Sequence, residues 1–81
     1  MTTQQIKELN QYEKDMGWIF KNYETLKQDY AEQYVAVYRQ AIVDHDSDMK
    51  ILMTLLRKKF EEKASSLAIE FITAKKDELI L

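Results

Sequence analysis

The sequence predicts a small α+β domain: an N-terminal helix broken near Gly17, a β-hairpin, a second helix and a third strand. The helices are expected on one face of a three-stranded sheet ordered 2-1-3, a split β-α-β unit. Three observations carry this reading. Apolar residues recur at helical spacing from Ile6 to Tyr30, the run Tyr34-Val35-Ala36-Val37-Tyr38 is β-branched and aromatic, and Met49, Leu52, Met53, Leu56 and Phe60 repeat at helical spacing again.

Thr2 or Thr3 is suited to cap the first helix, whose stripe comprises Ile6, Leu9, Tyr12, Met16, Ile19, Phe20, Tyr23, Leu26 and Tyr30. Gly17 interrupts it, and Trp18 falls on the far side of an ideal wheel. One kinked helix or two short ones fit this pattern. The favoured form breaks near Gly17, restarts with Asn22 as a cap and lets Trp18 fold back onto the body. The hairpin follows. With Arg39-Gln40 as a two-residue turn, Tyr38 faces Ala41, Ala36 faces Val43 and Tyr34 faces His45. Such turns favour Asn or Gly at positive φ, so a longer loop or a bulge also fits.

Asp46, Ser47 and Asp48 supply acceptors for the start of the next helix. Ile51 and Leu55 lie off its buried face as a separate apolar pair, a candidate contact. Ser65-Ser66 marks a loop before the third strand, Leu67 to Thr73, in which Leu67, Ile69 and Phe71 point one way. With both helices over Val35, Val37, Ile42, Ile69 and Phe71, the opposite face carries Tyr34, Ala36, Tyr38, Ala41, Val43, Ala68 and Ile72 and lacks a cover. Leu79-Ile80-Leu81 is read as an apolar anchor.

Composition narrows the function. The chain has 81 residues, a net charge of −2 and no cysteine, so thiolate chemistry is excluded and a reducing cytoplasm is the simplest setting. No apolar run approaches the roughly 18 residues a membrane span needs. Lys58, Lys59 and Lys63 are offset by Glu61 and Glu62, which is not the electrostatic footprint of a nucleic-acid binder. A single histidine and no glycine-rich loop leave few routes to an activated nucleophile or a phosphate cradle, so no enzyme and no cofactor is predicted. Asp44, His45, Asp46 and Asp48 are the residues a divalent ion would use. Helix capping explains the same carboxylates, and the calcium-loop pattern fails at Met49 and Leu55.

The pattern of Trp18, Leu26, Tyr30, Tyr34-Val35-Ala36-Val37, Ile42-Val43-Asp44-His45-Asp46, Asp48 and Leu52 resembles a family of short archaeal and bacterial domains of unknown function. The resemblance covers residues 18–73 and implies the fold but no activity. Against it, 1–17 is an N-terminal helical extension and 74–81 an apolar tail of one domain spanning 1–81. Where the family has glycine before the first strand this chain has Glu32, and Arg39-Gln40 stands where its hairpin glycine is expected.

The functional expectation is a protein–protein interaction module that forms a homodimer. Tyr34, Tyr38, Val43 and Ile72 of the open sheet face, an edge strand, and Trp18 are its candidate contacts. The alternatives are an adaptor or antitoxin-like partner of another small protein, docking through Ile51, Leu55 and the tail, and a metal-binding regulatory domain.

Overall fold

The computed structural model describes residues 2–74, so the Leu79-Ile80-Leu81 anchor lies outside the described residues. Its elements are α1 (Thr3–Lys21), α2 (Tyr23–Tyr30), β1 (Gln33–Tyr38), β2 (Ala41–Asp46), α3 (Met49–Phe60), a 3-10 helix (Glu61–Ser66) and β3 (Ala68–Ile72). The sheet order is β2-β1-β3, with β1 antiparallel to both neighbours. Strands β2 and β3 therefore run parallel, joined by α3 across the intervening β1. This is the expected split β-α-β unit.

The first helix does not break at Gly17. It continues to Lys21, and the chain turns at Asn22, whose Nδ2 donates to the Trp18 carbonyl at 2.9 Å. Glycine inside a helix costs only about 1 kcal/mol, and burying Ile19 and Met16 against the sheet outweighs that. Trp18 is half-buried on the same cluster without a break. Near the end of the 1–17 stretch, Asp15, only 1% exposed, is built into the body.

The largest correction concerns the layers. Ile19, Leu26, Val35, Val37, Ala68 and Ile72 form one buried cluster, to which α1 and α2 contribute. Ala36, Leu52, Leu56, Ala64 and Leu67 form a second, with Tyr34, Tyr38, Val43, Met53, Phe60 and Ile69 packed against it. Helices therefore cover both faces of the sheet, and α3 with the 3-10 helix lies on the face expected to be open. Ile69 shares the Tyr34 face, while Ala68 and Ile72 share the Val35 face, the reverse of the expected assignment for the third strand. The reason is visible in β1, where Val35, Ala36 and Val37 are all buried, as in a strand walled on both sides.

The hairpin turn is Arg39-Gln40 as expected, with φ of 54° and 59° and Tyr38 opposite Ala41. Past Val37 and Ile42 the register slips, so that Ala36 meets Asp44, Val35 meets His45 and Tyr34 meets Asp46. Val43 is the extra residue of a bulge. Both turn residues occupy the left-handed region without being glycine, which costs roughly 1–2 kcal/mol each. Asp15 supplies the compensation: its Oδ1 accepts from the Gln40 amide at 2.8 Å and its Oδ2 from the Arg39 amide at 3.2 Å. Gln11 Nε2 donates to Oδ1 at 3.1 Å and holds the carboxylate in place. Glu32, at the position where the resemblance places glycine, also has a positive φ of 61°. Its amide donates to the Ile72 carbonyl, and its carboxylate accepts from Thr73 Oγ1, both at 2.6 Å.

Candidate functional site

With both faces covered, the sheet edges are the next surfaces to consider. An unpaired strand edge is a template for another chain unless its polar groups are occupied. On β2, the His45 amide donates to Asp44 Oδ1 at 2.8 Å, and Lys59 Nζ reaches the Val43 carbonyl at 3.3 Å and Asp44 Oδ2 at 2.9 Å. The bulge makes this possible by turning Val43 and Asp44 toward α3 together. On β3, the Phe71 amide donates to Glu70 Oε1 at 3.1 Å, and the Phe71 carbonyl accepts from the Tyr23 hydroxyl at 3.2 Å. That hydroxyl also accepts from the Thr73 amide at 3.0 Å. Side chains from α3, α2 and the strands themselves thus occupy part of each edge, at Val43 and His45 on β2 and at Phe71 on β3.

The acidic cluster is taken up by the same local needs. Asp48 is the N-cap of α3, its Oδ1 accepting from Lys50 and Ile51 amides at 2.8 and 3.4 Å. Asp46 Oδ1 accepts from the Asp48 amide at 2.8 Å. Burial raises the Asp44 carboxyl, but hydrogen bonds from Lys59 and the His45 amide, with the Lys59 charge, prevail and hold it below the ordinary value of 3.8. His45 lies on the opposite side of the strand, its Nδ1 paired with Gln33 Oε1 at 2.7 Å and its ring edge-on to Tyr30. Asp44, His45, Asp46 and Asp48 therefore do not converge on one point. Among the described residues no group of three or more histidine, aspartate or glutamate side chains is placed to hold a metal ion.

The other expected contact residues fall in several places. Ile72 is fully buried, so it is core and not surface. Tyr34 stacks at a tilt on Phe71 and Tyr38 edge-on to Phe60, both half-buried beneath α3 together with Val43. Leu55 is half-buried, while Ile51 is 50% exposed on the outer side of α3. Trp18 is half-buried against the α1–α2 cluster.

The apolar surface that remains lies on α1. Ile6 and Leu9 are each 46% exposed, Tyr12 40% and Phe20 54%, although all four belong to the stripe expected to be buried. The helix outruns the sheet. Asp15 meets the β1–β2 turn, and Ile6, Leu9 and Tyr12 lie N-terminal to it, beyond that end of the sheet, whereas Phe20 lies C-terminal to it and is exposed along the body of the helix. Of the stripe, Met16, Ile19, Tyr23, Leu26 and Tyr30 reach the core. Gly17 borders the exposed row, and a Cβ built there meets no atom within 4 Å, so this chain's own packing does not require a glycine.

Among the described residues no helix is long and apolar enough to cross a membrane. The chain matches no protein-family model, no curated protein and no solved structure.

Proposed function

We propose that this protein is a non-enzymatic interaction module whose partner is a second copy of itself, joined through the outward row of α1. The observation that carries this is the half-exposed series Ile6, Leu9, Tyr12 and Phe20 on a molecule whose two sheet faces are both covered by helices. These residues lie along one side of α1, and Gly17 beside them leaves room for close approach. Aromatic side chains offer about 150–250 Å² each, so the half-exposed row presents a few hundred Å², the size at which a patch marks a contact. A standard interface takes about 800 Å² per partner. The row falls short of that, which favours a weak dimer that forms and dissociates with concentration.

Sedimentation velocity over a micromolar concentration series tests the reading, with Leu9→Glu as the perturbed variant. The expected result is a monomer–dimer equilibrium that Leu9→Glu abolishes while the circular dichroism is unchanged. A wild-type monomer throughout the series refutes self-association. The exposed Ile51 favours a second reading, an adaptor that docks a different small protein on α3. Its mark is a dimer, or a monomer, that retains a second protein in a pull-down and loses it on Ile51→Glu.

A further inference from the structure

A cleft of about 490 Å³ opens between the N-terminal half of α1, the β1–β2 turn and the 3-10 helix. Lys7 and Lys14 of α1, Arg39 of the turn and Lys63 of the 3-10 helix line it, together with Tyr12 and Tyr38. Four cations thus meet at one opening of a protein whose net charge is −2. Among the described residues no ion pair engages any of the four. Arg39 lies over the Tyr38 ring at 5.2 Å, which leaves its charge available. Two carboxylates also line the cleft. Asp15 is turned to the Arg39 and Gln40 amides and to Gln11, and the lining as a whole holds four basic and two acidic side chains, an excess of two positive charges.

The backbone is a second observation. Arg39 and Gln40 hold left-handed conformations that glycine or asparagine adopts more easily, and Glu61, two residues before Lys63, holds φ of 53°. Sparsely populated conformations persist where the surroundings over-determine them, as Asp15 does for the turn, and they gather at binding sites. Here one such residue is itself a cleft cation, and another begins the segment that delivers Lys63. Beside the cationic opening, Leu9 and Tyr12 with Glu8 and Ser66 form a shallow, mainly apolar shelf.

We propose that this cleft binds a small phosphate-bearing organic anion, its phosphates on Lys7, Lys14, Arg39 and Lys63 and its apolar part on the Leu9–Tyr12 shelf. The volume falls within the range of about 300–1,000 Å³ usual for small-molecule sites. The proposal rests on the cleft and not on self-association; Leu9 and Tyr12 belong to both surfaces, so a second copy and the ligand's apolar part compete for the shelf, and binding is measured at protein concentrations where the chain is monomeric. Titration calorimetry with ATP and with pyrophosphate, at low and physiological salt, tests it, alongside amide chemical shifts at Arg39 and Gln40.

The expected result is saturable binding, tighter for ATP than for pyrophosphate because only ATP reaches the shelf. Lys63→Glu and Lys7→Glu, both at exposed positions, are expected to weaken it by roughly tenfold or more, from lost attraction plus added repulsion. Lys58→Glu makes the same change of net charge on α3, outside the cleft lining, and is expected to change it less than about twofold, since screening is strong beyond roughly 8–10 Å. No saturable binding of either probe at millimolar concentration overturns the proposal. So does an equal loss for Lys58→Glu and Lys63→Glu, which marks diffuse attraction by charge alone.

Discussion

Replacing Asp15 with alanine removes the acceptor for both amides of the Arg39-Gln40 turn. Hydrogen bonds to a charged group contribute roughly 1.5–3 kcal/mol each. The bond to Gln40 at 2.8 Å belongs in that range and the bond to Arg39 at 3.2 Å at its lower end, giving a gross loss of about 3–4 kcal/mol. Two effects offset part of it. The turn is exposed, so water can reach the freed amides, and a carboxylate 1% exposed no longer has to be held away from solvent. A net loss of about 2–3 kcal/mol remains, a large share of the roughly 4–12 kcal/mol expected for a domain of this length. In urea, with a slope of about 1 kcal/mol/M for a small protein, the unfolding midpoint falls by about 2–3 M. Asp15→Asn keeps the shape but presents an NH2 group to one of the two amides, so it is expected to recover only part of the loss. A midpoint shift below about 0.5 M for Asp15→Ala, worth roughly 0.5 kcal/mol at that slope, would show that water serves the turn as well as the carboxylate does.

Gln40→Gly is expected to stabilise the protein. Relief of the left-handed penalty, roughly 1–2 kcal/mol, exceeds the roughly 0.5–1 kcal/mol of added chain entropy. The net gain of about 0.5–1 kcal/mol raises Tm by roughly 2–8 °C in a thermal melt, and a lower Tm contradicts the turn geometry. Asp44 is expected to titrate below 3.8, and Lys59→Met to move it upward, as read from carboxyl carbon shifts. Because the folded value is depressed, the stabilisation from the Asp44–Lys59 pair is present above the unfolded value and is lost as pH falls through the folded one. The stability gap between wild type and Lys59→Met therefore closes on acidification, and a gap that widens below pH 3.8 refutes the pairing.

The hairpin, the helix start at Asp48 and the sheet order were legible because each rests on local chemistry: β-branched residues, carboxylates before an apolar repeat, and a crossover of limited length. The layering was legible only in part. Val35-Ala36-Val37 is a continuous apolar run, and all three are buried. That run signals burial on both faces, whereas alternation predicts one buried face. The bulge at Val43 has no marker in the chain, since its neighbours Ile42 and Asp44 suit either register. Asp15 was invisible for a different reason. Its partners lie 24 and 25 residues away and are backbone amides, which carry no side-chain signature. The apolar row of α1 was visible as a row, but periodicity records which residues share a side and not where the sheet beneath them ends.

The last strand has a consequence for how the chain is made. Ala68 and Ile72 complete the cluster that holds Ile19 and Leu26, and Tyr23 is tied to Phe71 and Thr73. The first half of the protein therefore has no finished core until β3 has left the ribosome. A hairpin with two helices lacking that wall is marginal in water. During synthesis the nascent chain presents the α1–α2 apolar side to whatever binds unfolded polypeptide, and folding completes in one late step. A stall that holds Ile72 inside the exit tunnel is expected to leave the emerged segment sensitive to protease, and release to make it resistant at once.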